Sequence, residues 1–201
     1  MKWQRLNRKI IADSNSVLRK IFKDEENIDV LKNLTETILN VEIKEINLIK
    51  NLHYSLIYKE VKGIAEVKIT TTDEEKILVG MQIIDGFYIQ NKMVLYQAQL
   101  QLNEEVYKDV TKTVTINILD DEYFDVTDYK KQIQVKTVGA VSSEKFGEIY
   151  LIQLKKFDGK NYDEKEKEWI EYLKEGIQEP KNEKIKKLDN LLDDYWKDEV
   201  L

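Results

Sequence analysis

Four residues near the middle of the chain, Glu66, Lys68, Gly80 and Gln82, have types and spacings that bear on hydrolytic chemistry. Strand residues alternate faces, so within Gly63 to Ile69 the side chains of Ile64, Glu66 and Lys68 share one side and those of Ala65, Val67 and Ile69 the other. In Val79 to Ile83, Gly80 and Gln82 lie opposite Val79, Met81 and Ile83. Pairing the two segments brings Glu66, Lys68, Gly80 and Gln82 onto one side. Such a set would serve divalent-metal chemistry only through Glu66. Magnesium takes one or two carboxylates, with water and substrate phosphate completing the shell. The metal then neutralises charge and generates hydroxide for phosphodiester cleavage. A plainer reading stands beside this one. Glu66 and Lys68 form a cross-strand surface pair, Gln82 is an ordinary polar strand residue, and Gly80 lets a neighbouring group approach or leaves room for a partner.

Other chemistry-bearing residues are sparse. Asp73, Glu74 and Glu75 occupy a turn several residues of rise from Gly80, and Glu60 precedes the first segment. His53 is the sole histidine, which excludes a histidine-rich metal site, and the absence of cysteine excludes disulfides and thiolate zinc. Lys2, Arg5, Arg8 and Lys9 form a small basic arm that could touch phosphate, or simply be solvated. The 11 tyrosines, among them Tyr54, Tyr58, Tyr88 and Tyr96, follow no stacking-platform spacing and suit core rims.

The surrounding elements follow from periodicity. Val17, Leu18, Ile21 and Phe22 give a helix over Ser14 to Phe22. Asp24-Glu25-Glu26 suits the first turn of a second helix bearing Val30, Leu31, Leu34, Ile38 and Leu39 on one face. Val41 to Leu48 alternates with a slip and predicts a strand with a bulge. Ile64 to Ile69 and Lys76 to Ile84 flank a polar turn and predict an antiparallel hairpin. Phe87 to Leu102 has a helical composition without a clean apolar stripe. The β-branched run Val110 to Leu119 predicts a central strand, followed by strands over Lys131 to Val138 and Glu148 to Leu154. Helices over Asp163 to Lys174 and Glu183 to Trp196 close the chain. The order predicts a single α/β domain over residues 1–201, with a mixed sheet flanked by helices and a C-terminal helix pair. A core over 14–157 would carry a helical extension over 158–201. The apolar faces of that extension (Trp169, Tyr172, Leu173; Leu188, Leu191, Leu192, Tyr195, Trp196) suit packing on the domain, or pairing with another chain.

Composition bounds the setting. No run of about 18 apolar residues exists to span a membrane. The N-terminal residues lack an apolar stretch of signal-peptide length, and a cysteine-free chain suits the cytoplasm. With 38 acids against 32 bases the net charge is −6, which disfavours non-specific adhesion to DNA unless a local basic patch overcomes phosphate repulsion. Richness in Lys, Ile and Asn, with only three arginines, reflects an AT-rich genome such as a bacterial or phage one.

Taken in order, these segments resemble the PD-(D/E)XK nuclease-family transposases, also called recombination-promoting nucleases. The resemblance rests on Leu18-Arg19-Lys20-Ile21-Phe22-Lys23-Asp24-Glu25-Glu26-Asn27, then Gly63 to Lys68, then Val79-Gly80-Met81-Gln82. It continues through Val94-Leu95-Tyr96, Asn117-Ile118-Leu119-Asp120, Phe124, Asp128-Tyr129, Tyr150 to Phe157 and Trp169, spanning roughly 14 to 198. It implies a restriction-endonuclease-like core that cuts DNA with Mg2+ held by an aspartate and a glutamate. The aspartate position is Glu66, the glutamate position Gly80 and the glutamine position Gln82, while a middle-helix arginine corresponds to Lys92.

The resemblance therefore implies a vestigial site: Glu66 as the one metal ligand, Gln82 retained, Lys68 nearby, and Gly80 where the second acid is missing. Three readings follow. In the first, the chain no longer cuts and works by binding a protein or nucleic-acid partner, the acidic surface suiting a protein. In the second, it is an active Mg2+-dependent DNA endonuclease supporting recombination or transposition, with an unrecognised second acid. In the third, it is a relic of mobile-element spread.

Overall fold

The computed structural model describes residues 10–49, 63–84, 88–101, 109–120, 122–125, 127–136, 145–160, 162–177 and 179–199. Helix α1 (Ile10–Phe22) leads through a 3-10 turn (Glu25–Asn27) into α2 (Ile28–Leu39). The acidic stretch expected to open the second helix forms this separate turn instead, because the Asp24 carboxylate caps the Glu26 amide. Strands β1 (Ile43–Leu48), β2 (Ala65–Thr71) and β3 (Lys76–Ile84) follow, then α3 (Ile89–Gln101) and β4 (Lys112–Leu119). Strands β5 (Lys130–Lys136) and β6 (Lys145–Gln153) precede the tail helices α4 (Glu164–Glu175) and α5 (Glu183–Glu199).

The six strands form one mixed sheet in the order β1-β2-β3-β4-β6-β5. β1, β2 and β3 run as an antiparallel meander, with the expected bulge between Ile43 and Glu45. β3, β4 and β6 are mutually parallel, and β5 returns antiparallel on β6. A parallel pair needs a crossover, and α3 supplies it between β3 and β4. Both faces of the central strands are covered, so β3 is buried from Ile77 to Ile84 and β4 from Thr113 to Leu119.

The two faces differ in chemistry. Ile77, Val79, Met81 and Ile83 of β3, with Val114, Ile116 and Ile118 of β4, join residues of α1, α2, α4 and α5 in the main hydrophobic core. The opposite face meets α3. Its apolar patches are small, with Leu78, Tyr96 and Leu100 in one and Ile84, Ile89, Met93, Leu119, Ile149 and Leu151 in another. Between them lie the buried polar side chains of Glu66, Gln82, Thr113, Thr115 and Asn117.

The tail helices complete the large core. Trp169, Ile170, Tyr172, Leu173, Ile185, Leu188 and Leu192 are buried in it with Val17, Leu18, Leu31 and Leu34. Polar clamps fix their position. The Trp169 indole donates to Asn33 Oδ1 at 2.9 Å, and Asp29 of α2 receives both Lys184 and Lys187 at 2.7 Å. Of the apolar residues on these helices, Trp169, Tyr172, Leu173, Leu188 and Leu192 are buried within the protein itself, while Leu191, Tyr195 and Trp196 are partly buried against the same core. No described helix is long and apolar enough to cross a membrane.

Candidate active site

The hairpin register sets the site. Glu66 of β2 lies directly opposite Gly80 of β3, and Gly80 pairs in turn with Thr115 of β4, while Gln82 pairs with Asn117. All these positions share the α3 face, as strand alternation requires.

Glu66 is 7% exposed. Its carboxylate accepts a hydrogen bond from the Tyr96 hydroxyl at 3.0 Å and another from the Gly63 backbone N–H. Burial pushes its pKa up, and this outweighs the opposing pull of the Tyr96 hydrogen bond and the positive charges of Lys23 and Arg19. Arg19, on the last turn of α1, also donates through Nε to the Gly63 carbonyl at 2.7 Å. A Cβ on Gly63 would lie 2.0 Å from the Tyr96 hydroxyl and 2.4 Å from Glu66 Oε1, so both side chains would have to shift to admit one.

The space across from Glu66 is filled. A Cβ on Gly80 would come within 2.4 Å of Leu100 Cδ1, 2.8 Å of the Tyr96 hydroxyl and 3.0 Å of Tyr96 Cε1. Tyr96 and Leu100 stand one helical turn apart on α3 and press together onto the glycine. Of the two roles open to Gly80 in the sequence, close approach of a neighbour is the one the fold displays.

Gln82 is present but engaged elsewhere. It is 2% exposed, and its Nε2 donates to Asn117 Oδ1 at 2.5 Å. Asn117 Nδ2 donates onward to the Tyr150 carbonyl at 3.2 Å and Thr115 Oγ1 at 3.3 Å. This buried amide network ties β3, β4 and β6 together. Lys68 shares the face, but its ammonium lies 3.5 Å from Asp109 Oδ2. The turn acids are also placed apart from Glu66: Glu74 pairs with Lys44, and Glu75 lies 3.4 Å from Lys112. Lys92 stands one turn ahead of Tyr96 on α3. His53, Glu60, Tyr54, Tyr58 and the basic arm over 2–9 fall outside the described residues.

Sequence reasoning missed Tyr96, Gly63, Arg19 and Lys23 as the neighbours of Glu66. Arg19 and Lys23 lie in a segment that carried the family resemblance, and Tyr96 in another. Nothing in their own segments assigns them to one carboxylate, because α1, β2 and α3 meet only in the folded sheet.

The chemistry of the assembled set is limited. One buried carboxylate, one phenol and two cationic side chains fit a divalent cation poorly, since such an ion prefers several oxygen donors and is repelled by ammonium and guanidinium groups. Among the described residues no cluster of three or more histidines, aspartates and glutamates stands ready for a metal.

Comparison with known families identifies the fold. The family model described as PD-(D/E)XK nuclease family transposase matches residues 15–195, and the chain belongs to that family. The α-βββ-α-β order around the meander and crossover agrees with a PD-(D/E)XK core. Nucleases of the PD-(D/E)XK type usually use Mg2+. Comparison with curated proteins and with solved structures gives no significant match to either.

Proposed function

We propose that this PD-(D/E)XK family member acts by binding rather than by cutting DNA, its ancestral centre surviving as a structural knot around Glu66. The observation that carries this reading is Gly80, whose missing side chain is replaced in space by Leu100 and Tyr96. A side chain at that position requires Leu100 and Tyr96 to shift. Gln82, held by Asn117 in the interior, is directed into the sheet network.

The partner class follows from charge. A nuclease-like family points to DNA, yet the net charge of −6 opposes non-specific phosphate binding. A protein partner suits that charge better, and retained folds with altered sites are commonly reused this way. The competing reading, an active Mg2+-dependent DNA endonuclease supporting recombination or transposition, has one feature in its favour: Glu66 keeps a carboxylate beside Arg19 and Lys23, which could face phosphate.

The deciding experiment is DNA cleavage by the purified wild type with Mg2+ or Mn2+, beside Glu66→Ala. The binding reading expects no cleavage above background in either protein. Cleavage by wild type that disappears in Glu66→Ala would establish the endonuclease instead.

A further inference from the structure

We infer that the α3 side of the sheet is a docking surface for a second copy of this chain, with α3 of each copy seated against the β5 margin of the other. The inference goes beyond the functional reading above and holds whether the protein binds or cuts. It begins from unequal cover. Residues of α1, α2, α4 and α5 enter the large core on one face of the sheet, whereas α3 is the one described helix on the other. α3 makes its principal contacts with β3, β4 and β6 rather than with β5. On β5, Ile133 pairs with Ile149 across the ladder and so faces the α3 side. Ile149 is buried, but Ile133 stays 40% exposed.

Exposed apolar side chains gather on that side. Among the described residues the large ones are Tyr88 at 79%, Val94 at 63%, Ile133 at 40% and Tyr123 at 38%. Tyr88 borders α3 in a left-handed conformation, φ 64°, that bulky residues rarely adopt. Tyr123 precedes Phe124, which packs against the patch beneath α3. The outer side of α3 is nearly uncharged. Of its exposed and half-buried residues from Gln90 to Gln101 only Lys92 carries a charge, in a chain with 35% charged residues. Asn91, Val94, Leu95 and Ala98 follow helical spacing and form one outward stripe. A helix with apolar residues on both sides belongs between two surfaces.

Charge selects the occupant. Two copies that each carry a net charge of −6 repel over most of their surfaces, and meet with least repulsion through a neutral face. The complement to the α3 stripe lies on the same chain: Ile133, with the half-buried Val135 on the same side of β5. A two-fold axis satisfies both at once, Val94 of each copy against Ile133 of the other, and closes the pair. The two α3 helices then lie side by side between two sheets. One helix and one strand margin make a small contact, so the dimer is a weak one.

Sedimentation equilibrium of the intact chain, from micromolar to submillimolar concentration, tests this. The wild type is expected to pass from monomer to dimer. Val94→Glu and Ile133→Lys should each weaken self-association at least tenfold. Both side chains are exposed, so urea midpoints should stay unchanged. Mixing the two variants should restore association, because the introduced charges then oppose one another across one contact while the other keeps Val94 and Ile133. If either variant loses its fold, Val94→Ser and Ile133→Thr take their place and the weakening alone decides. A wild type monomeric throughout the range would overturn the inference. So would a dimer indifferent to either substitution, or a mixture no more associated than its components.

Discussion

The Tyr96 hydroxyl donates to the Glu66 carboxylate at 3.0 Å, joining the crossover helix to the second strand across 30 residues of sequence. Through this bond a buried acid acquires a neutral donor beside Gly80. The consequences extend to stability, pH response and the fate of substitutions designed to revive the site.

Gly80→Glu is expected to destabilise the fold rather than restore cleavage. Its Cβ alone would stand 2.4 Å from Leu100 Cδ1, and overpacking of this kind costs about 1–3 kcal/mol or more. Urea unfolding of the single variant should show a lower midpoint. An unchanged midpoint would mean that α3 yields easily, and would count against the close packing.

Glu66→Gln is expected to lose nothing at neutral pH and to gain stability relative to wild type as the pH rises. Burial raises the folded pKa of Glu66 above its ordinary value of 4.5. A raised folded pKa means the acid's favourable contribution is complete below the unfolded pKa and is lost as the pH climbs through the folded one. The difference between the two proteins should therefore open above pH 4.5 and then level off. Denaturant midpoints across that range measure it. A wild type that gained stability over the same interval relative to Glu66→Gln would reverse the sign and refute the burial argument.

Asp29 should govern part of the acid limb. Burial works against its charge, but hydrogen bonds and charge from Lys184 and Lys187 prevail and bring its pKa from 3.8 to about 2. Its contribution is present above 3.8 and fades as the pH falls through about 2. The carboxylate is 38% exposed, so solvent screening limits the contribution to about 1 kcal/mol or less. Asp29→Asn should flatten the acid unfolding curve in low salt, and the effect should shrink in high salt. An equal acid limb in both proteins would remove Asp29 from the account.

Trp169 should be among the most costly positions to truncate. Its ring is fully buried in the core shared by α1, α2 and the tail helices, so Trp169→Ala is expected to cost about 3–5 kcal/mol. Asn33→Ala, which removes the acceptor shared by the indole N–H and the Asn182 side-chain amide, should cost about 1–3 kcal/mol. Equilibrium unfolding separates the two. If both cost the same small amount, the tail helices are not part of the cooperative core.

Much of the fold was legible from local pattern. The hairpin showed in the turn between Ile69 and Lys76, and the bulge in β1 showed as a slip in its alternation. The order of elements around the meander and crossover carried the family resemblance that residues 15–195 bear out. α3 was legible as a helix but not as an amphipathic one. Its buried positions are Ile89, Met93, Tyr96, Gln97, Gln99 and Leu100, and the glutamines among them concealed the stripe. They are buried because the sheet face beneath is itself polar, and a single segment cannot display its neighbour's chemistry.

The sequence by itself determined the strand alternation that puts Glu66, Gly80 and Gln82 on one face, and the absence of a carboxylate at residue 80. Those properties are local, set by a period of two and by residue identity. Only the tertiary structure decided what fills the gap. Tyr96 and Leu100 reach Gly80, Arg19 and Lys23 reach Glu66, and Gln82 turns to Asn117, because α1 and α3 cross the sheet where they do. Close packing allows one occupant in that space, and the path of α3 makes it a tyrosine from the crossover helix.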